Sequence, residues 1–159
     1  MPPDHIAPVE PRLELLGHFR AELGEPLELG QTLWGRRRVI PIAGGEFDGP
    51  LLRGTVLAGG ADWQVVHPDG LATIDTRYTL QTHDGALISV ATQGVRHGPP
   101  KVLSRIAAGE LVDPAEYYFR VSIRYEVAES GYAWLNRIVA VASAARLANS
   151  VVYDAYEVR

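Results

Sequence analysis

The sequence predicts a mainly β protein, a single closed antiparallel β-barrel with one or two short connecting helices, and three observations predict it. Short apolar runs alternate with Gly, Pro and Asp clusters at intervals of roughly ten residues. Asp-Gly pairs stand between strand-like runs, and helical spacing of apolar residues is confined to one short stretch. The length of 159 residues fits one domain with a sizeable core, and an apolar share of 47% with 21% charged residues is ordinary for a globular chain.

The elements follow in order. Residues 1–11 hold four prolines and read as an extended N-terminal arm, because proline fixes φ and removes a donor. The barrel domain then occupies 12–159. Strands are predicted at 12–21, 27–33, 38–45, 51–58, 62–67, 71–82, 86–97, 117–128, 133–143 and 150–158. HPDG at 67–70 and HDGA at 83–86 carry hairpin-turn chemistry and join three of these strands as a meander. PPKVLSRIAAGE predicts a helix of about two turns, with prolines at its start and Gly109 at its stop. In VDPAEYYF, Asp113 followed by Pro114 predicts a single helical turn.

Composition excludes several chemistries. The chain has no cysteine, which removes disulfides, thiolate metal sites and thiol nucleophiles. A net charge of −4 offers no footprint for nucleic acid, and the expected partners do not include it. No signal-like N-terminus and no long apolar run are visible, so the expected location is the cytoplasm, with no membrane partner. His5, His18, His67, His83 and His97 are scattered without zinc-ligand spacing, so no metal is expected. With no P-loop, dinucleotide fingerprint or G-x-S-x-G present, no cofactor is expected either. The arginines of WGRRRVI alternate in direction along a strand and read as a solvated edge strand.

Period-two alternation then selects candidate site residues, because a polar side chain pointing into a barrel must be paired or must face a cavity. In ADWQVVH, Trp63 fits the more apolar face and leaves Asp62 and Gln64 together on the other. In 71–82 one series carries Thr76 and Tyr78 and the other Asp75 and Arg77, and either could line the lumen. The turn allows Asp62 or Gln64 to lie across from Arg77 or Asp75. Tyr118 and Arg120 share a strand face opposite Phe119, and Trp134 shares one with Asn136. Arg96 and His97 sit between Gly94 and Gly98, where backbone amides would approach an anion or the strand would bulge.

Several stretches together resemble the bacterial domain-of-unknown-function family 3237 (DUF3237, the UPF0311 proteins). They are GRRRVIPIAGGEFDGPLLRGTVLAGGADWQ, TRYTLQTHDGALISVATQGVRHGPP, DPAEYYFR, AWLNRIVAV and VVYDAYEVR, and they span most of the chain from Leu13 onward. The resemblance implies a small closed barrel that associates as a homo-oligomer, a dimer first of all. It implies little about activity, although its characteristic positions, Gly44, Gly45 and Gly98 besides those named above, overlap the faces just described. The segment SAARLANS at 143–150 departs from the family pattern by being bland.

Three functions remain open on the residues. One is a cofactor-independent enzyme of isomerase, cyclase or lyase type acting on a small organic molecule. In that reading Asp62 is base, Arg77 or Arg120 stabilises an oxyanion and Tyr78 or Tyr118 donates a proton. Gln64, Trp63, Tyr78, Arg96, His97, Phe119, Trp134 and Asn136 would bind the substrate. The second is a ligand carrier using the same residues without turnover. The third is a structural or interaction protein with a packed, ligand-free barrel.

Overall fold

The computed structural model describes residues 6–159, and residues 6–12 carry no regular structure ahead of the first strand. The other prolines and the histidine of the predicted arm, Pro2, Pro3 and His5, lie outside the described residues. Ten strands form one antiparallel sheet. They are β1 (Leu13–Leu23), β2 (Leu27–Thr32), β3 (Gly35–Asp48), β4 (Arg53–Val56), β5 (Ala61–Val66), β6 (Ala72–Thr82), β7 (Leu87–His97), β8 (Tyr118–Val127), β9 (Val139–Arg146) and β10 (Ser150–Val158). One helix, α1 (Pro100–Ala107), and two 3-10 turns, Pro114–Glu116 and Ala133–Arg137, connect the later strands.

The sheet closes because the long β3 pairs with β1 along its second half, and β1 pairs with β10. Along its first half β3 pairs with β2 on one edge and β5 on the other. β1 and β2 therefore run in line as one interrupted wall strand, and β4 and β5, both held between β3 and β6, run in line as another. The result is a closed eight-strand barrel.

The interruptions have local causes. Gly60 has φ +77°, and a Cβ there would sit 2.0 Å from the Arg77 carbonyl oxygen, so only glycine lets β5 start against β6. Opposite the other break, the β1–β3 register skips Ala43, a bulge beside Gly44 and Gly45.

Both Asp-Gly turns form as predicted, β5 to β6 and β6 to β7. The Asp113 side chain caps the first 3-10 turn by accepting the Ala115 N–H at 2.9 Å.

Two expectations are corrected. Residues 133–137 turn as a 3-10 segment instead of opening the ninth strand; Leu135 is fully buried there, so its apolar spacing suits a turn plugging the barrel as well as a strand. The arginine run is not a solvated edge, since β3 is paired on both sides over Arg36–Arg38. β10 is likewise paired on both edges. The exposed apolar side chains cluster instead about the β2–β3 hairpin, at Leu27, Leu29, Leu33 and Trp34.

Inside, large and small side chains alternate around the wall as a narrow barrel requires. Phe19 stacks between Phe47 and Tyr153, with centroids 5.2 and 4.8 Å away, and faces the alanines of β9 and β10, Ala140, Ala142, Ala144 and Ala155. Leu80, Ile88, Val90 and Leu135 are fully enclosed, each worth about 1.5–3 kcal/mol in removed apolar surface. No helix among the described residues is long and apolar enough to cross a membrane.

Candidate functional site

The period-two argument on β5 selects the inward residues. Asp62 and Gln64 point into the barrel at 8% and 1% exposure, whereas Trp63 stands outside. Burial alone would protonate Asp62, and it pushes the carboxyl up to about 6, against the pull of three neighbours. Those are the Asp75 N–H, which donates to Oδ1 at 3.0 Å, the Gln64 side-chain amide, which donates to Oδ2 at 3.2 Å, and the positive charge of Arg96. The Asp75 amide is free to bond a side chain because the β5–β6 ladder is interrupted between the Asp62–Thr76 and Val65–Thr73 pairs.

On β6 the series carrying Thr76 and Tyr78 faces the lumen and the series carrying Asp75 and Arg77 faces out. Arg77 therefore does not meet Asp62; its register partner on β5 is Ala61, and Asp62 lies across from Thr76. The physical reason is that both series are amphipathic, so alternation alone does not orient them, while Ile74 and Leu80 bring Thr76 and Tyr78 inside with them.

The same rule turns Phe119 inward and Tyr118 and Arg120 outward. On the outer wall Tyr118 stacks on His97 at 5.0 Å, and the Arg120 guanidinium lies 5.3 Å from the Tyr118 ring. These two candidate catalytic residues and His97 form a surface group remote from Asp62's face. Trp134 packs against the core from the 3-10 turn, and Asn136 ties that turn to β8 by accepting the Val127 N–H at 2.9 Å and donating to its carbonyl at 2.8 Å. Their role is structural.

The residues brought together enclose a cavity of about 60 Å³. Asp62, Gln64 and Arg96 line its polar side, and Thr76 and Thr92 share a 2.5 Å hydrogen bond beside them. Tyr78 and Tyr153, hydrogen-bonded phenol to phenol, line it too. Burial pushes the Tyr78 phenol up to about 12, which keeps it a proton donor through the neutral range. Burial raises Tyr125 and Tyr153 as well.

Arg96 and Arg146 line this cavity and also a wider one of about 630 Å³ at the mouth. Arg36, Arg38 and α1 complete that vestibule. Arg36 is neutralised by a two-pronged pair with Glu28 at 2.9 and 2.8 Å. Arg38 reaches Gln64 Oε1 at 3.4 Å, and its Nε lies 3.5 Å from Glu28 without hydrogen-bond geometry. The Arg96 Nε is buried with no partner. Burial lowers both Arg96 and Arg146, the latter to about 10; Asp62 opposes the shift in each, Arg38 lowers both further, and Arg96 lowers Arg146.

Sequence reasoning missed Arg38, Thr92, Arg146 and Tyr153. Arg146 lies in the segment read as bland; the signal was a lone arginine on the inward series of an alanine strand, at Ala140, Ala142 and Ala144. Gly94 serves close strand approach, not a bulge: a Cβ would sit 2.1 Å from the Arg120 carbonyl oxygen, and the ladders through it keep their register. No three Asp, Glu or His side chains among the described residues converge as metal ligands.

Comparison with known proteins places this geometry in context. The profile of the family described as "Protein of unknown function (DUF3237)" matches residues 11–158. A UPF0311 protein of Bradyrhizobium diazoefficiens is 42% identical over 138 residues, covering 87% of this chain and 90% of the relative. The crystal structure of a β-barrel-like protein from Acinetobacter baumannii superposes with a TM-score of 0.87 at 48% identity, covering 98% of this chain and all of that one. A structure described as an enzyme from Penicillium herquei shares the fold alone, with a TM-score of 0.73 at 22% identity over 98% of this chain and 99% of that one.

Proposed function

We propose, for a chain that belongs to the DUF3237 family, that the barrel interior is the active site of a cofactor-independent enzyme moving a proton within a small carbonyl compound. The observation that carries this reading is Asp62: a carboxylate buried in a cavity wall, held by two hydrogen bonds and shifted up to about 6, where an efficient base at neutral pH belongs.

In the proposed reaction an ionised Asp62 oxygen removes a proton from the carbon beside the carbonyl, and the C–H electron pair moves to form an enolate. The Arg96 guanidinium faces the charge that develops on oxygen, and the enclosed walls strengthen that interaction. Return of the proton to a different atom completes an isomerisation, and expulsion of a leaving group completes an elimination. The protonated Tyr78 phenol, on the neighbouring strand β6, supplies the donor. The inner cavity admits only a small reacting portion, so the body of such a substrate would remain in the vestibule.

The test is proton exchange. Carbonyl compounds incubated with the protein in D2O are screened by NMR for deuterium uptake, which is expected to rise with pH through about 6 and to fall roughly 10²–10⁴-fold in Asp62→Asn. Exchange within threefold of wild type in that variant would rule Asp62 out as the base.

A further inference from the structure

We infer that the vestibule is a receptor for the anionic group, a carboxylate or a phosphate, of a small organic ligand, with Arg96 and Arg146 as its reading residues. The inference deepens the preceding proposal and rests on the interior being a ligand site.

Four arginines, Arg36, Arg38, Arg96 and Arg146, come from three non-adjacent strands of a chain whose net charge is −4, and they converge on one cavity. Like charges gathered in a partly desolvated space repel each other, and each loses hydration that must be replaced. Glu28 answers Arg36 and approaches Arg38. Asp69, on the rim, spends a carboxylate oxygen on the Leu71 N–H of its own turn. Neither Arg96 nor Arg146 has a carboxylate in ion-pair contact among the described residues.

What holds them is weaker. Arg96 rests 5.7 Å from the Phe119 ring centroid with its Nε buried and unpartnered. Arg146 gives one nitrogen to the carbonyl oxygens of Leu147 and Ser150, at 2.7 and 3.3 Å. A guanidinium has five donors in a planar fork. Both guanidinium groups line the two cavities, and such a fork takes an oxyanion by two parallel hydrogen bonds. The vestibule, at about 630 Å³, is the size of a site for a small molecule and too confined for a polymer strand. An anionic group seated there would leave the remainder of the ligand directed at Asp62, whose own negative charge keeps the anion from sliding deeper.

The experiment uses the intact protein and three probes built on one phenyl ring: benzoate, its neutral isostere benzamide, and phenyl phosphate. Calorimetric titration is expected to show benzoate or phenyl phosphate binding at least tenfold more tightly than benzamide, the tighter of the two naming the anion. Raising salt from 50 to 500 mM should weaken the anions and leave benzamide unchanged, a measurement that needs no variant. Arg96→Met and Arg146→Met should each weaken the preferred anion tenfold or more. Arg20→Gln, on the outer wall, should not.

Benzamide binding as tightly as the anions, or Arg96→Met holding the anion within twofold, would overturn the receptor. Asp62→Asn separates the two proposals. It should bind the anion at least as tightly as wild type, so a variant that binds but does not exchange protons supports both. A wild type that exchanges protons without anion preference sinks only the present inference, and one that prefers anions while Asp62→Asn still exchanges sinks only the other.

Discussion

The barrel interior has two halves of opposite character. Toward the closed end, Phe19, Phe47, Leu80, Ile88 and Val90 belong to one packed apolar core in which, among the described residues, only the Tyr125 hydroxyl is buried without a partner. Toward the mouth, within the same wall strands, Asp62, Arg38, Arg96 and Arg146 occupy inward positions that an apolar residue would fill at lower cost. The packed half supplies stability, and the charged half lowers it.

The sharpest way to break this contrast is Leu80→Ala. Leu80 is fully enclosed, so its removal is expected to cost roughly 3–5 kcal/mol in chemical denaturation. A much smaller loss would mean that the closed end is not the stabilising half.

The opposite sign is expected at the mouth. Because Asp62 is raised from 3.8 to about 6 on folding, its contribution to stability is full below pH 3.8 and is lost as pH rises through 6. Asp62→Asn should therefore match wild type near pH 3.5 and exceed it by up to about 3 kcal/mol above pH 7. Stability curves that stay parallel across that range would show that the carboxylate carries no such strain.

The smallest effect sharpens the boundary between inside and outside. Arg77→Ala, on the outer face, is expected to change stability by no more than about 0.5 kcal/mol and to leave anion binding intact.

How much of this was legible in the sequence depended on how local the cause was. The Asp-Gly turns carry their geometry in two residues, so the β5–β6–β7 meander was readable. Asp62 and Gln64 were readable because Trp63 between them claims the other face. The orientation of β6 was not, because Thr76 and Arg77 are both acceptable on either side until neighbouring strands choose. Tyr118 and Arg120 misled for a related reason: an outer wall that stacks a histidine, a tyrosine and an arginine has the same composition as a pocket lining. Trp134 and Asn136 fell in a 3-10 turn whose burial of Leu135 imitates strand alternation. Arg38 and Arg146 acquire meaning only when strands far apart in the chain meet at one mouth.

The closure of the wall has a temporal consequence. β1 ends its ladder at Leu13 against Val158 of β10, so the first strand made waits for the last before the ring is complete. Non-local pairing of this kind folds slowly, because loop entropy is spent before contacts return it. Arg38 and Asp62 come together as soon as β3 pairs with β5, whereas Arg96 and Arg146, on β7 and β9, complete the charged mouth across the assembled ring. The repulsion among the arginines is therefore largely a property of the closed ring, contained by the same ladder that joins the two ends of the chain.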